Sequence, residues 1–131
     1  MKKNAGLWIN HRKAVIVFLA GQEEEIKIIE SSVERQMQHD SASHSGGSSV
    51  PADDRLQREF TEHLNNYYKD VISHIRDAES ILIFGPGESK GELKKHLEHE
   101  GLGGLIIGVE TTDRMTDHQI AAKVRQCFHQ Q

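Results

Sequence analysis

A mixed five-stranded α/β sheet covered by helices is the fold class this sequence predicts, and three observations carry it. The first is the stretch Ser80 to Leu97, SILIFGPGESKGELKKHL, in which four consecutive apolar residues meet Gly85-Pro86-Gly87 and then a polar segment with Leu93 and Leu97 four apart. That is a buried strand, a tight turn and an amphipathic helix. A strand apolar at every position must be covered on both faces, so it belongs inside a sheet with helices packed against it. The second is an opening pair of apolar segments interrupted by four polar residues. The third is the alternation of strand-like and helix-like periods through the remaining chain.

Taken in order, Ala5 to Ala20 reads AGLWINHRKAVIVFLA, two apolar segments parted by Asn10-His11-Arg12-Lys13, a hairpin-sized interruption. Gly21-Gln22-Glu23 allows a second turn. Glu25-Ile26-Lys27-Ile28 then alternates charged and apolar residues, as an edge strand with one solvated face does. Composition changes at Ser31. From about residue 32 to 54 Ser, His, Asp and Gly crowd together without an apolar period, which predicts a long mobile loop, either functional or simply disordered.

From Arg55 to Ala78 the residues Leu56, Phe60, Leu64, Tyr67, Val71 and Ile75 step by fours and threes, one face of a helix of about six turns, with Asp53 or Asp54 as its cap. The strand-turn-helix stretch follows and ends near Gly101. Leu102 to Val109 is a second glycine-spaced apolar run, and Thr116-Asp117 can cap a last helix presenting Ile120, Val124 and Phe128. The order is β-β-β-α-β-α-β-α, a meander followed by two right-handed crossovers that add parallel strands. It is the order of the ribonuclease H-like fold.

With 131 residues the chain is expected to form one domain, residues 1–131, large enough to need no disulfide. Its single cysteine, Cys127, sits in a helical pattern and reads as a small core residue. No apolar run approaches the roughly 20 residues of a membrane span, and Met1-Lys2-Lys3 precedes no signal-like core. A soluble, unprocessed, cytoplasmic protein without a membrane partner is expected. Sixteen basic against twenty acidic residues give a net charge of -4, which speaks against a broad grip on nucleic acid, and no DNA partner is expected.

A nuclease of this fold would hold two metals about 4 Å apart with clustered carboxylates. The first strand ends instead in the amide Asn10, the inner strand in Phe84-Gly85-Pro86, and Glu59, Glu62 and Asp113 read as solvated surface. Gly85 to Gly91 fails both nucleotide-loop patterns, because Ser89 precedes Lys90 and Lys90 stands at the sixth position. What remains is a helix N-terminus with Gly85, Gly87, Ser89 and Lys90 as candidate anion ligands, against the simpler account that the glycines permit a tight turn beside a neighbouring element. His39, His44, His96 and His99 lack the partners and spacing of a metal site, so no metal and no cofactor is assigned. Arg12, Lys13, Lys90, Lys94 and Lys95 form a candidate basic surface.

With GLWINHRKAVIVFLAG, the loop holding His44-Ser45-Gly46-Gly47-Ser48, the helix REFTEHLNNYYKDVISHI and ILIFGPGESKGELKKHL in this order, the chain resembles the middle domain of archaeal and eukaryotic class I peptide-chain release factors and of their rescue relative Pelota. It is most similar to the short bacterial and archaeal proteins related to that domain. In that family the loop after the third strand carries Gly-Gly-Gln, which helps place the water that cleaves peptidyl-tRNA. Here Gly46-Gly47 stand in the corresponding loop, and Ser48 replaces the glutamine.

The resemblance thus implies a stand-alone domain, without the flanking domains that read stop codons or recruit partner factors, acting in translation or ribosome rescue. It would bind ribosome or tRNA through Gly46, Gly47, Ser48 and the basic residues, without hydrolysing peptidyl-tRNA. The alternative is a small non-enzymatic module of the same fold that binds a protein, or senses an anion at Gly85 to Lys90.

Overall fold

A computed structural model describes residues 3–31 and 52–129, with side chains from 58 to 128 in the second stretch. Three strands come first: β1 (Asn4–Ile9), β2 (Lys13–Ala20) and β3 (Glu23–Glu30). Helix α1 (Ala52–Ile75) leads to β4 (Ser80–Gly85), α2 (Ser89–His99) to a single 3-10 turn (Gly103–Leu105) and β5 (Ile106–Thr111), and α3 (Asp117–His129) closes the chain. The sheet order is β3-β2-β1-β4-β5. β2 is antiparallel to β1 and β3, while β4 runs parallel to both β1 and β5. This is the mixed five-stranded α/β sheet that the sequence predicts. β4 is an inner strand as expected, beside β1 at the centre.

Alternation along the strands sorts the core into two layers. Leu7, Ile9, Ile16, Ile81 and Ile83 point to one face, where α1 and α2 bury Leu64, Tyr67, Tyr68, Val71, Ile72, Ile75, Leu93 and Leu97. Trp8, Val15, Val17, Leu82 and Phe84 point to the other, under Ile120, Ala121 and Val124 of α3. α1 and α2 share a face because two crossovers of one hand, moving in one direction across a sheet, must lie on the same side. Cys127 is half-buried at the rim of the α3 layer, where burial, with Glu110 nearby, pushes its thiol up.

Local chemistry fixes the ends of the elements. Gly21, at φ 62°, turns β2 into β3 with only Gln22 between it and the strand. α2 ends in a Schellman closure, with Gly101 at φ 77°, its N–H on the Glu98 carbonyl, and the Leu102 N–H on the Leu97 carbonyl. α3 begins in a capping box: the Gln119 N–H donates to Thr116 Oγ1 at 3.2 Å and the Thr116 N–H to Gln119 Oε1 at 2.9 Å.

Three boundaries differ from the sequence reading. Helix α1 starts at Ala52, so residues 52–54 belong to its first turn and Asp53 and Asp54 are helical residues. Acids are favoured both at a cap and in a first turn, so their presence did not separate the two. The same helix closes at Ile75, and the chain turns through Arg76 and Asp77 to the buried Ala78. The glycine-rich start of the last apolar run forms the 3-10 turn, and the strand itself begins at Ile106.

Candidate nucleic-acid interface at one end of the sheet

β1, β4 and β5 run parallel and finish at the same end of the sheet, where β2 begins and β3 stops. Four connections therefore meet there: the β1–β2 turn, the β4–α2 turn, the exit from β3 at Ser31, and the β5–α3 loop, whose Thr112 N–H donates to the Gly85 carbonyl at 3.1 Å. Asn10 organises the first of them. Its Oδ1 accepts from the backbone N–H groups of Arg12 and Lys13, both at 2.8 Å, while its own N–H donates to the Lys13 carbonyl at 3.0 Å. An asparagine that closes a turn with its own side chain explains why an amide stands where a nuclease would need a charge.

The carbonyls of this turn are all engaged. Tyr67 donates its hydroxyl to the Asn10 carbonyl at 3.0 Å, Ser31 Oγ donates to the His11 carbonyl at 2.6 Å, and the Ser31 N–H donates to the Arg12 carbonyl at 2.8 Å. With its backbone held from two sides, the turn offers side chains outward: Arg12 is exposed and Lys13 half-buried. A basic pair on an immobilised turn suits an anionic backbone, since little further ordering is needed to present it.

Behind the turn lies a polar seam between α1 and α2. Glu92 accepts from the Tyr68 hydroxyl at 2.5 Å and meets His11 Nε2 at 3.2 Å, and the rings of Tyr68 and His96 lie 5.2 Å apart. Burial, reinforced by the bond to Glu92, holds the Tyr68 phenol far above its ordinary range, and burial does the same to Tyr67, helped by Tyr68. His96 is pushed below the ordinary histidine value, by burial first. His11 also meets the Phe60 ring edge-on at 6.1 Å. The seam fixes the orientation of the turn, and among the described residues no group of three or more His, Cys, Asp or Glu side chains is placed to hold a metal ion.

A shallow groove of about 500 Å³ separates the basic turn from the start of α2, lined by Asn10, His11, Arg12, Pro86, Gly87 and Ser89 together with Glu88. Here the candidate anion ligands have mostly structural duties. A Cβ on Gly85, at φ 148°, would lie 2.4 Å from the Ile9 carbonyl oxygen, so this glycine lets the end of β4 abut β1. Gly87, at φ 68°, turns in open space. Ser89 is buried and faces the Tyr68 hydroxyl, and Lys90 donates its ammonium to the Gly87 carbonyl at 2.5 Å. Glu88 sits at the helix N-cap without a side-chain capping bond.

The predicted basic residues are brought together only in part. Arg12 and Lys13 share the turn, whereas Lys90 and Lys94, one helical turn apart, lie on the flank of α2 opposite Glu92, and Lys95 points outward, exposed. Gly46, Gly47 and Ser48, with His39 and His44, lie outside the described residues. His11, Tyr68 and Glu92 are site residues that sequence reasoning did not single out. The signal was the tandem Tyr67-Tyr68: two neighbours point about 100° apart on a helix, and two phenols half inside a core need two acceptors.

No family model and no curated protein matches the sequence. Solved structures do match it in shape. The Pelota protein of Thermoplasma acidophilum superposes with a TM-score of 0.62 at 12% identity, over 96% of this chain and 32% of that one. Pelota of Archaeoglobus fulgidus gives 0.57 at 11% identity, over 96% and 31%. The archaeal translation termination factor aRF1 gives 0.51 at 12% identity, over 97% and 39%. This chain thus spans between 31% and 39% of the length of those proteins, and what it shares with them is the fold of a mixed five-stranded sheet with its helices.

Proposed function

We propose that this domain acts in translation or ribosome rescue by docking on ribosomal RNA or tRNA with the sheet end that carries Arg12 and Lys13, and that it does so without hydrolysing peptidyl-tRNA. The observation that carries the reading is the anchoring of Ser31 to the Arg12 and His11 carbonyls. Ser31 opens the connection that carries Gly46-Gly47-Ser48 in the sequence, and the proposed function would have that connection and the basic turn meet one RNA surface. The likeness in fold to Pelota and to a translation termination factor supports the same direction. Serine at residue 48, where the resembling family carries glutamine, favours binding over hydrolysis. Lys90, Lys94 and Lys95 would add phosphate contacts at the margin.

The test is co-sedimentation of the protein with ribosomes of its own cells across a salt series. Phosphate contacts predict binding that falls steeply with salt, the logarithm of the association constant losing roughly 0.7–0.9 per contact for each logarithm of salt. Arg12→Glu with Lys13→Glu should abolish pelleting with the melting curve unchanged, and Gly46→Ala with Gly47→Ala should weaken it. Undiminished pelleting of the charge-reversed protein would sink the proposal. Absence of the wild type from the ribosomal fraction at low salt would shift the assignment to a protein-binding or anion-sensing module.

A further inference from the structure

The side of the sheet formed by β3 carries a feature that RNA docking at the sheet end does not use. β3 pairs with β2 over its whole length, Lys13 opposite Glu30 through Ala20 opposite Glu23, with no register shift. It is the last strand of the sheet. Among the described residues no strand pairs with its other edge, which therefore presents a row of backbone donors and acceptors. Edge strands are usually blunted by a bulge, a proline, a covering element or charged side chains. β3 has neither bulge nor proline; its four glutamates and one lysine exclude most partners and most registers, leaving only those that match their signs.

Its side chains are sorted by face. Glu25 and Lys27 lie on the α1 side, along an open groove of about 600 Å³ that Phe18 and His74 also line. Ile26 and Ile28 lie on the α3 side, opposite the buried Val17 and Val15. They extend that apolar row beyond the reach of α3 and are 43% and 49% exposed. Single exposed isoleucines are ordinary. Two on one face of an open edge, continuous with a buried row, are what a pairing strand needs.

We propose that the outer edge of β3 pairs antiparallel with the same edge of a second copy of this chain, about a twofold axis at Ile26, so that two five-stranded sheets become one. Charge complementarity selects the second copy as occupant and Ile26 as centre. Antiparallel copies bring side chains of the same face together only in registers centred on a residue. Centred on Glu25, that carboxylate faces itself. Centred on Lys27, the ammonium faces itself and Glu24 faces Glu30. Centred on Ile28, Lys27 faces Ile29 and the ion pairs are lost.

Centred on Ile26, Glu25 of each copy faces Lys27 of the other, twice by symmetry, and Ile26 packs on Ile26. Neither Glu25 nor Lys27 forms an ion pair with another described residue. Glu24 would face Ile28, and its carboxylate is drawn away over α3 by Arg125 Nε at 2.7 Å, leaving its methylene stem for the isoleucine.

Sedimentation equilibrium tests this on the whole chain. Wild-type protein should approach twice the 14.8 kDa chain mass as concentration rises and return toward one chain mass on dilution. Lys27→Glu should remain at the single-chain mass throughout, and so should Glu25→Lys, because each places like charges face to face. Mixed in equal amounts, the two variants present opposite charges to each other across the edge, and the dimer mass should return. Both positions are solvent-facing, and matching thermal melts of the variants verify that the fold is kept. Monomeric wild type overturns the proposal, as do single variants that dimerise like wild type or a mixture that stays monomeric while wild type dimerises.

Discussion

Under α1 and α2 the sheet meets large side chains from two helices, among them Tyr68, Ile72, Ile75, Leu93 and Leu97; under α3 it meets Ile120, Ala121 and Val124. The first layer is broad and its stabilisation is spread over many residues, each burial contributing about 1.5–3 kcal/mol. The second is narrow. It relies on large strand residues, Trp8 and Phe84, and on one close approach at Gly6, where a Cβ would stand 2.4 Å from Val124 Cγ2. One helix across five strands also leaves Ile26 and Ile28 uncovered, so the thin layer and the exposed isoleucines have a single cause. A face with two helices has a seam between them instead, and the seam is where the polar groups behind the candidate interface sit.

If the narrow layer depends on few residues, removing its largest one should cost most. Trp8 is 2% exposed, and its indole N–H donates to the Asp113 carbonyl at 3.2 Å, tying the loop before α3 to the sheet. Trp8→Ala is expected to lose about 3–5 kcal/mol in denaturant unfolding, the range for large aromatics in cores. Trp8→Phe, which keeps a ring and loses the N–H bond, should lose less. A cost below about 1 kcal/mol for Trp8→Ala would mean that α3 is not held by this layer.

The close approach of α3 gives a smaller effect with a sharper signature. Gly6→Ala places a methyl against Val124 and is expected to cost about 1–3 kcal/mol, as overpacking does. Val124→Ala removes both offending γ-carbons and leaves only the Val124 Cβ, at 3.1 Å, which a slight shift of the helix relieves. The double variant should therefore be more stable than the two single losses predict, by at least about 0.5 kcal/mol. Strict additivity in a double-mutant cycle would place the helix farther from β1 than this packing requires.

These two layers were legible in the sequence to different degrees. The four-three step of Leu64, Tyr67, Val71 and Ile75 named one face of α1, and Ile120 and Val124 named the core face of α3, because helical period and burial are both written in residue type. The edge position of β3 was legible in Glu25-Ile26-Lys27-Ile28, but the single solvated face that this alternation implied was not found: Ile26 and Ile28 are exposed as well, because residue type does not say how far α3 reaches. Gly6 was not: a glycine in a strand says that something approaches, without saying what. The seam was hidden more deeply. Glu92 and His11 are 81 residues apart, and a charged residue on a helix reads as solvated until the fold places a tyrosine hydroxyl and an imidazole beside it. Of the candidate anion ligands, the turn at Gly85 and Gly87 was predictable from glycine alone. The burial of Ser89 and the folding back of Lys90 depend on α1 and on the turn itself.

The seam supplies the smallest effect and the one that separates the two faces by pH. His96 packs on the Tyr68 ring, and its pKa lies below the ordinary 6.5 because burial disfavours the imidazolium; Glu100 and Glu92 pull it back up, while Lys69 and His99 push it down. The sign follows from proton counts. As pH falls below 6.5 the unfolded chain takes up a proton at this histidine before the folded one does, so the unfolded state binds more protons and stability falls. The contribution is present above the unfolded pKa and is lost as pH drops through the folded one. Urea midpoints measured at roughly pH 7.5 and 5.5 should therefore differ more for wild type than for His96→Gln, which has no proton to take up. The carboxylates titrate in both proteins, so the difference between the two slopes isolates His96. Equal slopes would mean that the imidazole stays hydrated in the folded protein, and that the seam between α1 and α2 is open to water where the face under α3 is closed.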